Sequence, residues 1–280
     1  FLPHVSSTLD NFGELTLPTA ELIKPIPLKY VNGDQSAAIF AYGQPKENEL
    51  LINMGTGAFI SRILVNNDTS FTDTDNNNNN KVLLRSIVHV DDKCKSFVLE
   101  GTVNGCSAAI DHMASILEIE RSFLNNTENI KGEIPLFINT IGGLGAPYWR
   151  TDIESHFIDE GSSKASNEGK FIAVLESIAF LITVLIELLS KSPPYLNSLT
   201  LSGGMSNNIA LCQMLADLAG YKVKCPNEVE ASVLGSIWWL ANCPEKWLPE
   251  LKYQHYLPQE NKRLKKRYQV WKVEMDKLLK

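Results

Sequence analysis

The stretch "LLINMGTGAFISRIL" (Leu50–Leu64) decides the fold. Apolar and β-branched residues flank Gly55-Thr56-Gly57, a pattern for two strands folded about a tight turn, with Gly55 and Gly57 supplying the permissive dihedrals. Working outward, "KVLLRSIVHV" (81–90) and "KSFVLEGTV" (95–103) predict a third and a fourth strand. The polar, low-complexity run "NNDTSFTDTDNNNNN" (66–80), with Phe71 its one apolar side chain, has too little to bury and is expected to be a mobile loop tip. From Gly105 the period changes. "GCSAAIDHMASILEIE" predicts an amphipathic helix, and "IPLFINTIGGLGAPYW" a strand running into a glycine-rich loop. A long helix over 169–191 follows, then strand "SLTLSGG", helix "NNIALCQMLADLAG", strand "YKVKCP" and helix "EASVLGSIWWLAN". Strands first and alternating units afterwards predict an α/β fold, one mixed sheet flanked by helices.

Length and composition bound the function. The 280 residues are 44% hydrophobic and 21% charged, enough to bury a sizeable core in one large domain or two small ones. A net charge of −6 argues against nucleic acid or an anionic membrane as the main partner. Five scattered cysteines (94, 106, 212, 225, 243) predict reduced thiols and a cytoplasmic setting, and five scattered histidines predict no metal site. The Asn-x-Thr triplets at Asn67 and Asn125 carry no weight without a secretory segment. "FIAVLESIAFLITVLIELL" (171–189) is long enough to span a bilayer, but Glu176 and Glu187 inside it favour a buried helix of a globular core. The basic end, "NKRLKKRYQVWKVEMDKLLK", reads as an amphipathic helix with Leu264, Tyr268, Trp271 and Met275 inward. The chain opens without an initiator methionine, signal peptide or first strand, and Pro18, Pro25 and Pro27 make residues 1–30 an irregular connector. A fragment of a longer protein is expected.

Three segments carry chemistry. Gly55-Thr56-Gly57 is either an ordinary hairpin turn or a nest of backbone N–H groups for phosphate oxygens, with the Thr56 hydroxyl adding a hydrogen bond. In "LSGGMSNN" (201–208), Gly203-Gly204 after a strand allows close approach of a flat ligand, and the asparagines can cap the next helix or bind a base or ribose. It is neither a dinucleotide fingerprint nor a Walker A loop. In "VNGDQSAAIF" (31–40), Asp34 is either a turn residue or a general base at a cleft mouth, ahead of a short helix closed by Gly43.

In their order these segments resemble the second half of an FGGY-family carbohydrate kinase, nearest the glycerol kinases. "GDQSAAIF", "NMGTGAF", "GGLGAPYW" (142–149), "AVLESIAF" (173–180), "LSGGMSNNIALCQMLADLAGYKV", "EASVLGSIWWL" and "YLPQENKRLKKRYQVWK" are each similar to a family motif, and together they cover nearly the whole chain. The resemblance implies the actin-like ATPase (RNase H-like) fold. Residues 1–45 would then hold the end of the first kinase domain and a connector carrying the catalytic base, and 46–280 the nucleotide-binding C-terminal domain. It further implies that Asp34 is the base, that Gln35 and Phe59 face the acceptor, and that Gly55 and Thr56 sit at the ATP phosphates. Gly204 and Asn208 would face the adenosine, supported by Gly203, with Gly105 a further adenine-side glycine. ATP and Mg2+ would be the cofactors, a small polyol or sugar the acceptor, the N-terminal kinase domain a required partner, and a homodimer a common assembly. Glu176 and Glu230 are expected to brace or cap helices, and Tyr148 and Trp149 to pack at a loop base.

The chain departs from the family's pattern. After "APYW" the family continues with Asp and then an Arg-Gly pair, where this chain has "RTDIESHFID" beginning at Arg150. Ala109 stands where glycerol kinases carry an adenine-side glutamine. These changes motivate a second reading, a catalytically silent regulatory or scaffold domain of the same fold.

Overall fold

Leu50, Ile52 and Met54 are fully buried and the residues between them half-buried, so the decisive stretch forms a strand covered on both faces. The computed structural model describes residues 4–16, 25–64, 82–125, 132–158, 164–191, 193–227, 230–247 and 251–280. The 66–80 run, Asn67 and Pro18 lie outside them.

Two short ribbons stand apart from the main sheet: β1 (Glu14–Leu15) with β2 (Ile26–Pro27), and β7 (Phe137–Ile138) with β8 (His156–Phe157). The main sheet has seven strands. β3 (Glu49–Met54), β4 (Ala58–Leu64), β5 (Leu84–Val90) and β6 (Lys95–Val103) form its antiparallel half. β9 (Ser198–Ser202), β10 (Lys222–Pro226) and β11 (Tyr253–Tyr256) complete it in the order β11-β10-β9-β3-β4-β6-β5. β9 runs parallel to both β3 and β10, with Asn53 opposite Ser202. A register shift between Ile87 and His89 bends β5 near its end.

Each face of the sheet has its own cover. On one lie α2 (Ser107–Leu117), α3 (Asn167–Leu189), α4 (Ile209–Ala219) and α6 (Lys262–Leu278), sharing one large apolar core with β3, β4 and β6. The long apolar helix α3 is central to that core, with 89% of its most apolar window buried. Glu176 within it pairs with Arg267 of α6, whose Nη1 and Nη2 also donate to Ile134 O and Pro135 O at 2.8 Å. Glu176 therefore braces two helices, as expected, and burial pushes its carboxyl above the usual range despite Arg267. Leu264, Tyr268, Trp271 and Met275 of α6 all face inward, and Trp271 Nε1 donates to Phe137 O at 3.0 Å.

The other face is covered by α1 (Asp34–Ala38) and α5 (Ala231–Leu240) around Phe40, Trp238 and Trp239. Here Gly235 is a contact requirement: a Cβ on it would lie 1.8 Å from Ala37 O. Only glycine lets α5 lie against α1, and Ser232 Oγ of α5 donates to Asp34 O at 3.0 Å. Glu230 stands at the N-cap position of α5.

Four sequence expectations change. The helix after Asp34 ends at Ala38, and turns carry the chain to Gly43 (φ +92°). The strand expected in "IPLFINT" shrinks to two residues, because its neighbours serve the glycine loop. Edge strand β11 was not anticipated, since "YQHY" has no clean alternation. Neither Gly55 nor Gly57 adopts a positive φ. Gly57 is needed for close approach instead, as a Cβ there would lie 2.8 Å from Val103 O.

Candidate functional site

The three segments singled out in the sequence meet at the carboxyl ends of the adjacent parallel strands β3 and β9. Open α/β sheets bind ligands at such an edge, where loops diverge and leave a crevice. Asn53, next to last in β3, ties them together. Its Nδ2 donates to Gln35 Oε1 at 2.8 Å, which links α1 to the strand end. Its Oδ1 would lie 2.4 Å from a Cβ on Gly203, and Met54 O 2.5 Å from it. Gly203 (φ +82°) therefore turns directly against β3, and both its dihedral and its neighbours demand glycine.

Asp34 opens α1 with its carboxylate exposed. Oδ1 accepts from Gln35 N at 2.8 Å, and among the described residues no hydrogen bond engages Oδ2. Gln35 and Phe59 line one small cleft of about 40 Å³, together with Asn53, Ser61 and Ser202. Thr56 is exposed at the tip of its turn, and the surroundings of Gly55 are open. The turn is fastened from behind: Ser107 N donates to Gly55 O at 3.0 Å, while Cys106 N and Ala108 N donate to Thr56 O at 3.0 and 3.2 Å. Gly55 N is itself engaged by Gly57 O at 2.8 Å, so it is not a bare donor of a nest. Burial pushes the Cys106 thiol up to about 12, which keeps it protonated and unreactive.

Beyond Gly203 lies a hollow of about 340 Å³ lined by Arg121, Leu124, Gly204, Met205, Asn207 and Asn208, among others. Gly204 is exposed with no atom near a Cβ position. Asn208 is buried and caps α4: its Oδ1 accepts from Leu211 N at 2.8 Å, and its Nδ2 donates to Leu124 O at 3.4 Å. Arg121 sets a guanidinium at the rim, held by Asp111 at 3.0 Å. Gly105 does not line this hollow. It is buried under the glycine loop, with a Cβ position 2.6 Å from Ile141 O, and its carbonyl accepts from Asn139 Nδ2 at 2.9 Å. Ala109 is buried in α2.

In the "GGLGAPYW" loop Tyr148 packs against the large core, whereas Trp149 is 42% exposed. Packing at the loop base thus describes Tyr148 and not Trp149. Arg150 donates to both carboxylate oxygens of Asp152 at 2.6 Å. The sequence reading missed Asn53 and Arg121. A polar residue ending the apolar run "LLIN" was the available signal for Asn53; nothing local marks Arg121. It also missed that His89 meets Asp91 and Cys94, because only histidine and cysteine spacings were considered.

Comparison with known proteins defines the class. Residues 50–241 match the profile of the FGGY family of carbohydrate kinases, C-terminal domain. The chain belongs to this family. Its fold is the actin-like ATPase fold of the family: it superposes on a Plasmodium falciparum glycerol kinase crystallised with ADP at a TM-score of 0.75 and 19% identity, covering 97% of this chain and 55% of that one. A xylulose kinase from Rhodospirillum rubrum gives a TM-score of 0.74 at 15% identity, covering 99% and 57%. Among curated relatives, the glycerol kinase of Halothermothrix orenii is 28% identical over 256 residues, which is 88% of this chain and 48% of that protein. That of Fusobacterium nucleatum is 27% identical over 290 residues, covering 96% and 55%. The chain spans about half the length of these relatives.

Proposed function

We propose that the chain is the nucleotide-binding half of an ATP-dependent kinase that phosphorylates a hydroxyl of a small polyol or sugar. The observation that carries this reading is the convergence of Asp34, the Gly55-Thr56 turn and the Gly203-Gly204 turn on the ends of β3 and β9, with Asn53 joining them. Asp34 is the general base: its exposed carboxylate, steadied through one oxygen, accepts the acceptor hydroxyl's proton as the oxygen attacks phosphorus. Gln35 and Phe59 orient the acceptor in the small cleft they share. Thr56 donates to phosphate oxygens from the open side of its turn.

The 340 Å³ hollow takes the adenosine against Gly204, which has the clearance a flat ring requires. Asn208 contributes by holding α4 rather than by a free side chain. Magnesium, arriving with the nucleotide and held by phosphates, water and one or two carboxylates, would offset phosphate charge. The acceptor's other contacts and the remaining phosphate contacts belong to the other half of such a kinase, so this chain alone binds nucleotide and transfers little or no phosphate.

Calorimetric titration with Mg-ADP tests the reading. Binding weakened at least tenfold by Gly204→Val, with the circular dichroism spectrum unchanged, is the expected result. No binding, or binding indifferent to Gly204→Val, removes the nucleotide assignment. One observation favours the silent-domain reading: Arg150 stands where the family pattern has an acidic residue, and its guanidinium is paired with the carboxylate of Asp152. Mg-ADP binding without acceptor-dependent turnover, in a protein carrying both halves, would select it.

A further inference from the structure

Away from the kinase loops, the turn between β5 and β6 gathers three donors of different chemistry. The ligand atoms of His89, Asp91 and Cys94 all lie within 4.8 Å of one another, the one such cluster among the described residues. His89 is fully buried and stacked on Trp239 of α5, ring centroids 3.3 Å apart. Its Nδ1 lies 2.9 Å from Thr8 Oγ1. That hydroxyl already donates to Val90 O at 2.8 Å and accepts from Val90 N at 3.0 Å. A hydroxyl has one proton to give, so Thr8 accepts from the imidazole and Nδ1 carries the ring proton. Nε2 is then a bare lone pair, buried and without a hydrogen-bond partner.

That lone pair faces Asp91 Oδ2 at 3.5 Å. The separation exceeds the roughly 2.7–3.2 Å of a good N–H···O bond. It matches the edge of a tetrahedron about one zinc ion, about 3.4 Å for nitrogen and oxygen ligands at about 2.1 Å. Two acceptors facing each other in a buried place repel unless a cation lies between them. Asp91 Oδ1 accepts from Lys93 N at 2.8 Å and Cys94 N at 2.6 Å, which directs Oδ2 inward and curls Cys94 over the pair. Cys94 is on an exposed turn, so rotation of its side chain can bring Sγ to ligand distance.

We propose that His89 Nε2, Asp91 Oδ2 and Cys94 Sγ form a transition-metal site suited to zinc, with the fourth position open to water. A nitrogen, a carboxylate oxygen and a thiolate are the donor types this ion takes. Binding releases the Cys94 thiol proton to solvent. The three ligands lie within residues 89–94, so the bound ion closes the turn after β5 on itself, while Thr8 and Trp239 hold the imidazole in place. Its role is that of a clasp on this turn. This proposal does not depend on the kinase reading, because none of its ligands belongs to the glycine loops.

The test uses the intact chain with zinc and cobalt alone. Zinc is expected to bind one ion per chain and to raise Tm. Cobalt should give a thiolate-to-metal charge-transfer band and tetrahedral d–d bands. Cys94→Ser, a change on an exposed turn, should abolish the charge-transfer band and weaken zinc at least tenfold while the fold is retained. Absence of zinc binding, or binding and spectra unchanged in Cys94→Ser, would overturn the site. Nitrogen-15 NMR of the imidazole gives a second readout independent of any variant. An unprotonated Nε2 that shifts on zinc addition supports the proposal. A protonated Nε2 that persists in excess zinc refutes it, the proton then bridging His89 and Asp91.

Discussion

Gly55 and Gly203 each follow the last residue of one of two neighbouring parallel strands, at the same edge of the sheet, yet they are glycines for opposite reasons. Gly203 has a positive φ and is enclosed, with Asn53 Oδ1 and Met54 O where a Cβ would go. Gly55 has neither constraint: its φ is ordinary and its Cβ position is open. Gly204, next to Gly203, is equally open. An enclosed glycine is explained by the fold alone. An open glycine at a strand's carboxyl end is not, and the space in front of it is what a ligand would use.

Replacing Gly203 is the severest way to try this contrast. Gly203→Val should lose about 2–5 kcal/mol in urea unfolding, from the strained dihedral plus the clash with β3. A loss under ~1 kcal/mol would mean that the turn relaxes and the contrast is false. Removing the cap behind the loop comes next: Asn208→Ala should cost about 0.5–2 kcal/mol, and Asn208→Asp, which keeps the accepting oxygen, markedly less. Equal losses for both variants would move the role of Asn208 from its cap to its amide contact with Leu124 O.

Asn53→Ala tests the tie between the loops. It removes the bond to Gln35 and should cost about 0.5–1.5 kcal/mol, with faster hydrogen exchange in α1 and not in α2. The smallest effects on stability belong to Gly55→Ala and Gly204→Ala, each within about 1 kcal/mol of wild type. Thermal unfolding of these two beside Gly203→Ala would sharpen the comparison, since they should differ from it by several degrees in Tm.

The same distinction explains what was legible beforehand. The inward stripe Leu264, Tyr268, Trp271 and Met275 was readable because helical periodicity is local, and every member is buried. The strand through Leu50, Ile52 and Met54 was readable from its apolar run and the Gly-Thr-Gly turn beside it, which are equally local. Glu176 could be read as structural from its apolar surroundings in sequence, although its partner Arg267 stands 91 residues away. The positive φ expected at Gly55 and Gly57 was a misreading, because a Gly-x-Gly turn can need glycine for contact instead of dihedral freedom. Gly57 is held to that contact by β6, which no pattern within residues 50–64 reveals.

By itself, the sequence determined the class of fold, the extents of most strands and helices, the inward face of the last helix, and the three segments that the fold brings to one edge of the sheet. The individual elements depend on side-chain period or residue type within a dozen neighbours, and the class of fold on their order along the chain. Only the tertiary structure decided that Asn53 joins Gln35 to the Gly203 turn and that Gly235 lets α5 hold α1. It alone committed Asn208 to a cap, and it alone aimed the buried nitrogen of His89 at Asp91 beside Cys94. These are contacts of a few ångströms between groups set by strand register and helix packing, and such distances exist only once the chain has closed on itself.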